Sequence, residues 1–391
     1  MKILILNQNT EGKGTYFRCY WFAKYLVKSG HSVTLICLQK ERSLRITIRR
    51  AEGIRIILLP RISDSGFKEL PAHISRAIMI TTFTVFNNYD IVHSFSVASP
   101  TTGLPIIPFW FLKKIHLKKY KLVVDWDDWW GKGGLTTHSN QGMLIEEVAT
   151  LLEEKIPILA DRVTTGSSML FERAISVGVK RENLLKIGNG SNVEYIKLLD
   201  KNEVRMRLGL NDQFTFCFAG SILVNFEFLL KAFNELKKKT PEKFNLIVIS
   251  QLEENHFKLI EKYNLKNEIL YLGRVPYDNL IEYLGASDVL LLPRSNNLLD
   301  KCEFPARLGD YMASGRAILS NSVGEVESLL FESQSGLLAD ADDFENFCEN
   351  ALKLMSDKFL CEELGRNGRF FAENKFSWKD LTTHLIEDVY L

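Results

Sequence analysis

The sequence predicts an α/β protein built from two doubly wound domains, and three observations carry that prediction. Short apolar runs rich in β-formers alternate with helically spaced stretches nearly from end to end. After the turn cluster Asn189-Gly190-Ser191-Asn192 the same alternation starts again. The length, 391 residues, points to two or three domains at about 150 residues each. Strand–helix alternation implies parallel sheets covered by helices on both faces, because parallel neighbours need a crossover connection. With 46% apolar and 25% charged residues, the chain has the apolar content that disordered segments lack.

In the first series, Lys2–Leu6, Ser32–Leu38, Ile54–Leu59, Asp90–His93, Leu122–Asp125 and Arg162–Thr165 read as strands. Tyr16–Ser29 has helical spacing and stops at Gly30, a residue suited to a left-handed helix end. A charged helical bridge to Leu210 leads into a second series of strands: Phe214–Ala219, Phe244–Ser250, Ile269–Leu272, Val289–Leu292 and Ala317–Ser320. Helices are expected at Phe226–Lys239, Asn255–Tyr263, Tyr277–Gly285, Pro305–Ser314 and Phe344–Ser356. The predicted domains are 1–195 and 196–375. Open sheets of this kind bind ligands at the carboxyl ends of their strands, and two such domains make the cleft between them the natural site.

The six cysteines are scattered, with no C-x-x-C pair and no histidine at metal-ligand spacing. A disulfide framework and a zinc site are therefore not expected, and a reduced cytoplasm is. Lys2 runs directly into Ile3-Leu4-Ile5-Leu6 and then polar residues, which reads as a strand and not as a signal peptide. No window approaches the ~18 uninterrupted apolar residues of a membrane span; the nearest, Gly103 to Leu112, is broken by two prolines. Residues 1–130 carry 19 basic and 9 acidic side chains, and the remainder 30 and 39. A basic front thus joins an acidic remainder, an asymmetry that bears on partners.

Three segments carry candidate chemistry. In Asn9-Thr10-Glu11-Gly12-Lys13-Gly14-Thr15, the loop glycines and a following helix N-terminus suit an anion, with Gly14 and Thr15 closest to the helix. The plain alternative is a strand-to-helix turn. In Asp125-Trp126-Asp127-Asp128-Trp129-Trp130, carboxylates beside indoles at a strand's carboxyl end suit a sugar: rings pack on C–H faces and carboxylates accept hydroxyl hydrogens. A divalent cation, or tryptophans packing under a loop with aspartates capping a helix, are the alternatives. In the third segment, Leu292-Pro293-Arg294 leads to Glu303-Phe304-Pro305-Ala306-Arg307-Leu308-Gly309-Asp310-Tyr311. Here a helix N-terminus with Arg307 and Arg294 suits a diphosphate, and Asp310 suits ribose hydroxyls. Its plain alternative is an amphipathic helix with a surface Arg307–Asp310 pair worth ~0.2–0.5 kcal/mol.

The run Pro305-Ala306-Arg307-Leu308-Gly309-Asp310-Tyr311-Met312-Ala313-Ser314-Gly315-Arg316-Ala317 resembles the nucleotide-sugar helix of retaining glycosyltransferases with the GT-B fold, family 4, roughly P-x-[KR]-L-x-[ED]-Y-[LM]-A-x-G-[KR]-P. Further likenesses follow in order along the chain. Ala160-Asp161-Arg162-Val163 through Ser167 is similar to A-D-x-V-x-x-x-S, and Lys186 through Asn192 to V-x-x-I-x-N-G-V-D. Leu272-Gly273-Arg274-Val275 resembles the L-G-x-V segment whose backbone meets the base. Phe376-Ser377-Trp378 resembles the start of the family's last helix, which crosses back onto the N-terminal domain, so 376–391 is assigned to that role.

The resemblance implies a GT-B fold, two Rossmann-like domains facing a central cleft, and transfer of a sugar from a nucleoside diphosphate sugar to a hydroxyl with retention. It implies neither cofactor nor metal. A UDP-sugar such as UDP-glucose is the favoured donor, with a lipid-linked or oligosaccharide acceptor in polysaccharide, exopolysaccharide or glycolipid synthesis. At the nucleotide sugar it places Gly14, Thr15, Ser221, Arg274, Val275, Arg294, Arg307, Leu308 and Asp310. Asp127, Asp128 and Glu303 take the catalytic positions, and Trp129, Trp130 and His93 the acceptor and sugar platform. His93 is equally readable as a buried structural residue. The chain departs from the family pattern at two points. The first glutamate of E-x7-E would fall on Cys302 when the second falls on Asp310, leaving Glu303 one residue off. Gly220 is followed by Ser221-Ile222-Leu223-Val224-Asn225, without the usual arginine and lysine.

Two alternatives stay open: a nucleotide-sugar epimerase of the same architecture, and an inactive nucleotide-sugar-binding subunit of a polysaccharide assembly complex. The basic stretches Arg42–Arg50 and Phe109–Lys121 fit an anionic membrane surface, which implies peripheral association on the inner face of the plasma membrane. They equally fit an ordinary helix with solvated lysines. Nucleic acid is not expected, because the second half is acidic and carries no nucleic-acid motif.

Overall fold

The structure, a computed structural model, describes residues 1–62, 70–139, 142–220 and 225–391. By its contacts the chain divides into two units. The first comprises Met1–Asn189, Cys302–Phe304 and Trp378–Leu391; the second comprises Gly190–Lys301 and Pro305–Ser377. The division falls ahead of the expected residue 195. The physical reason is that Val193 and Ile196 pack with Ile281 and Ala313 of the second unit.

The first unit holds an eight-stranded sheet among the described residues, formed by β1 (Lys2–Thr10), β2 (Ser32–Leu38), β3 (Thr47–Ala51), β4 (Ile54–Leu59), β5 (Ile91–Phe95), β6 (Lys121–Trp126), β7 (Arg162–Thr165) and β8 (Leu184–Lys186). The order is β3-β4-β2-β1-β5-β6-β7-β8. All neighbours run parallel except β3, which pairs antiparallel with β4. The basic run Arg42–Arg50 therefore ends in a hairpin strand that the sequence reading leaves out. Its turn is Glu52-Gly53, both with positive φ (48° and 81°), as a two-residue hairpin turn matching strand twist requires. The central strands carry near-continuous apolar runs because both faces are covered: Ile3 to Leu6 are fully buried.

The carboxyl-terminal segment packs inside this first unit. Trp378, Leu385, Val389 and Tyr390 join the core formed with helix Tyr16–Lys28, and the Trp378 ring meets Phe22 edge-on at 5.2 Å. Tyr390 donates or accepts a 2.8 Å hydrogen bond with His93 Nδ1.

The second unit holds a parallel six-stranded sheet among the described residues: β9 (Phe214–Ala219), β10 (Phe244–Ile249), β11 (Ile269–Tyr271), β12 (Val289–Leu292), β13 (Ala317–Asn321) and β14 (Gly336–Ala339). Its order, β11-β10-β9-β12-β13-β14, reverses direction at β9/β12, the kind of switch point where open sheets bind ligands. Among the described residues no helix is long and apolar enough to cross a membrane.

Candidate functional site

At the carboxyl ends of β1, β5 and β6 the first unit gathers a polar cluster. Gly14 is left-handed (φ 55°), and a Cβ there would lie 2.3 Å from Asn9 Nδ2, so the loop after β1 requires glycine at this point. The turn delivers Thr15 to the start of helix Tyr16–Lys28. The Thr15 hydroxyl donates to Asp127 Oδ2 at 2.5 Å, and the Ser96 hydroxyl to Asp127 Oδ1 at 2.9 Å. Ser96 holds a positive φ of 54°, a strained backbone of the sort found where a side chain must be aimed. A chain carboxylate, Asp127, thus takes the place at this helix start where the sequence reading puts a ligand anion.

The three aspartates of the tryptophan-rich segment play different parts. Asp125 is fully buried and forms a two-pronged pair with Arg18, at 3.0 Å from Nε and 2.8 Å from Nη2. Thr164 adds a 2.6 Å hydrogen bond to the same carboxylate. Arg18 also donates to the carbonyls of Gly188 (2.6 Å) and Ile187 (2.7 Å). Asp127 is raised by burial and by the charge of Asp125, against the opposing hydrogen bonds of Thr15 and Ser96. Asp128 lies well above the carboxylate range, through burial and the charges of Asp127 and Glu303. Grouped carboxylates with displaced acidities mark a functional cluster.

The tryptophans are held from behind by Glu153, which accepts from Trp126 Nε1 (2.9 Å) and from the backbone N–H groups of Trp130 (2.8 Å) and Gly131 (3.0 Å). Arg173 lies 3.5 Å from the centroid of the Trp129 ring. One face of Trp129 is therefore covered by a guanidinium. Trp126 is core, at 2% exposure. His93 is a correction: it is fully buried, bonded to Tyr390 and packed 4.3 Å from Phe95, and burial lowers it to about 3. It belongs to the core, where no acceptor reaches.

The second unit holds a cavity of about 780 Å³ at the ends of β9 and β10, lined by Gly220, Ser250, Arg274, Val275, Arg307 and Asp310 among others. Four of the residues read from the sequence thus come together here: Arg274, Val275, Arg307 and Asp310. Pro305 precedes helix Ala306–Ser314, and Gly315 (φ 69°) ends it. Arg307, in the first turn, donates to the carbonyl of Ala219 at 2.7 Å, which lays its guanidinium over Gly220. A Cβ on Gly220 would stand 1.9 Å from Arg307 Nη1, at a φ of 139°. Gly220→Ala is accordingly expected to displace Arg307 and, if the cavity holds the nucleotide the sequence leads one to expect, to weaken UDP binding by roughly tenfold or more, measured by calorimetric titration.

Asp310 accepts from the Tyr277 hydroxyl at 2.9 Å, and the Tyr277 ring stacks on Tyr195 with centroids 5.8 Å apart. Burial raises Asp310 to about 7, a shift that the Tyr277 hydrogen bond opposes. Between its ordinary value and 7 the folded chain therefore holds a proton that the unfolded chain has lost. The stabilisation this gives is present in acid and lost as pH rises through about 7. Thermal melts from pH 4 to 8 should show this slope in the parent protein and lose it in Asp310→Asn.

Two residues fall away from this cavity. Arg294 is 6% exposed and paired with Asp300 at 3.0 Å, so its charge serves the loop after β12. Leu308 is fully buried, and its side chain is core. Glu303 groups with the first unit, where its charge acts on Asp128. Ser221 lies outside the described residues. The sequence reading missed Arg18, Ser96, Glu153, Arg173 and Tyr277. Arg18 alone left a trace, as a cation on the apolar face of its helix four residues before Phe22.

Residues 200–370 match the family Glycosyl transferases group 1. The capsular polysaccharide biosynthesis glycosyltransferase CapM of Staphylococcus aureus is 25% identical over 252 residues, which is 60% of this chain and 63% of CapM. The match thus spans less than two thirds of that relative. Among solved structures, sucrose-phosphate synthase from Thermosynechococcus elongatus superposes with a TM-score of 0.78 at 17% identity, covering 98% of this chain and 97% of that one. Anabaena HepE in complex with UDP and glucose gives 0.71 at 14% identity, with 99% and 98% covered. The architecture is that of the GT-B glycosyltransferases, as the sequence predicts.

Proposed function

We propose that this chain, whose residues 200–370 match the glycosyl transferases group 1 family, transfers a sugar from a nucleoside diphosphate sugar to a hydroxyl acceptor during polysaccharide or glycolipid synthesis. The observation that carries the reading is Arg307, fixed over Gly220 beside Arg274 and Asp310 in one cavity. Departure of the diphosphate is the hard step, and fixed positive groups stabilise the charge that develops there. Arg307, with the start of helix Ala306–Ser314, takes the diphosphate; ionised Asp310 accepts ribose hydroxyls; Val275 faces the base. UDP-glucose is the favoured donor, given the UDP and glucose bound by HepE. Asp127 and Asp128 accept hydrogen bonds from sugar hydroxyls, and Trp130 offers an apolar face. Transfer proceeds with retention and without a metal.

A thermal-shift panel of UDP, GDP, ADP and CDP, each with and without chelator, tests the donor. A ligand at ~100 times its dissociation constant stabilises by about 2.7 kcal/mol, and UDP is expected to give the largest shift. Four flat curves would remove the donor site, and a shift abolished by chelator would overturn metal independence. Anomeric configuration of the product, read by NMR, tests retention. Because Asp310 binds as a carboxylate in this reading, UDP affinity should rise towards pH 7 more steeply in the parent than in Asp310→Asn, where only the ionisation of the UDP phosphate remains.

A further inference from the structure

At the opposite end of the first sheet, where β1 and β2 begin, a polar cavity of about 240 Å³ is lined by Lys2, Arg50, Arg55, Asn88 and Tyr89 among others. Its cations come from three different strands: Lys2 from β1, Arg50 from β3 and Arg55 from β4. Arg50 and Arg55 are direct cross-strand partners in the antiparallel β3/β4 pair. Like charges set opposite each other destabilise a sheet, so this pairing calls for a counter-charge.

The chain supplies little of one. Nearby cations are neutralised: Lys24 by Glu52, Arg49 by Glu11, Lys113 by Asp161. Among the described residues, no carboxylate lies within ion-pair distance of the Lys2, Arg50 or Arg55 side chains. Asp90 stands at this end, engaged with the backbone N–H of Lys2 at 2.6 Å. Lys118 adds a fourth positive charge at the rim, donating to Asn87 O and Asn88 Oδ1, both at 3.2 Å. The two basic stretches of the sequence, 42–50 and 109–121, thus converge here through Arg50 and Lys118. Arg55 is steadied over the Phe83 ring at 5.5 Å, and Asn88 and Tyr89 offer neutral hydrogen-bonding groups.

The geometry points to a second anion site, separate from the nucleotide cavity, that takes a phosphate or diphosphate group. Arg50 and Arg55 hold the phosphoryl oxygens through charge-assisted hydrogen bonds, and Lys2 supplies a further point charge. The cavity is smaller than drug-sized ligand pockets, which suits a phosphate group whose remainder projects outward. That remainder belongs either to a free phosphorylated molecule or to a lipid headgroup.

The test is calorimetric titration of inorganic pyrophosphate into the full-length Arg307→Ala protein, which lacks the second unit's phosphate ligand. A single binding event should remain. Adding Arg50→Ser and Arg55→Ser should weaken it roughly tenfold or more, whereas Arg50→Lys with Arg55→Lys should retain part of it. Arg50→Ser alone, on an exposed strand, serves if the double variant fails to fold. No binding by Arg307→Ala protein, or binding indifferent to Arg50 and Arg55, overturns the site. Flotation with phosphatidylcholine vesicles, with and without phosphatidate, separates the sources. Phosphatidate-dependent flotation lost with Arg50→Ser/Arg55→Ser assigns a lipid headgroup; pyrophosphate binding without such flotation assigns a free phosphate.

Discussion

Arg307→Ala should lower kcat/KM for the nucleotide sugar by about 10²–10³, equivalent to about 2.7–4 kcal/mol of transition-state stabilisation. The expectation rests on position. Arg307 stands in the first turn of its helix, is anchored on the Ala219 carbonyl at 2.7 Å, and passes over a glycine whose Cβ would collide with it. A guanidinium held in this way reorganises little when charge develops on the leaving diphosphate. The family pattern that the sequence resembles carries an arginine and a lysine just after the equivalent glycine, and this chain has neither. More of the burden therefore falls on Arg307, with Arg274 the other arginine lining the cavity. Arg307→Lys keeps a charge but not the planar fork, and should fall between parent and alanine variant. Donor consumption and UDP titration check both. Parent-like values for Arg307→Ala would sink the assignment of the diphosphate to this residue.

The second large effect concerns stability. Arg18→Met should destabilise the first unit by about 3–5 kcal/mol, because it strands the fully buried Asp125 without its partner. The Gly188 and Ile187 carbonyls would lose their donor as well. The double variant Arg18→Met/Asp125→Leu should recover much of that loss, since removing both charges also removes their desolvation. Calorimetry resolving the unfolding of the first unit checks this, as a chain of two units need not unfold in one transition. A single variant as stable as the parent would show that Asp125 tolerates burial without Arg18.

The division between what was legible and what was not follows the range of the interactions. Periodicity located β2, β4, β7, β9 and β12 with their observed limits, because short runs rich in β-branched and aromatic residues between helical stretches carry a strand signal. It overlooked β3, whose exposed residues carry no burial pattern and which exists through its hairpin with β4, and the short edge strands β8 and β14, of three and four residues. The helix of Arg307 and Asp310 was readable from local signals, a proline at its start and a glycine at its end. Arg294 lies on a strand-to-helix connection and Leu308 in the first turn of a helix, and neither setting reveals from sequence which side chains turn inward. His93 was drawn towards the acceptor by its place at the end of β5; Tyr390, nearly 300 positions later in the chain, fixes it in the core.

By itself the sequence determined the two α/β units, the helix Ala306–Ser314 and the basic front, since these depend on local periodicity, capping and composition. Only the tertiary structure decided which charges are free to act. Three aspartates within four residues look alike in sequence, yet one is neutralised by Arg18, one is gripped by Thr15 and Ser96, and one is raised by its neighbours. Two basic stretches, distant in the chain, meet at one small cavity. The reason is physical: a charge's role is set by its burial and partners, and in this fold those partners come from helices and loops far apart in the chain.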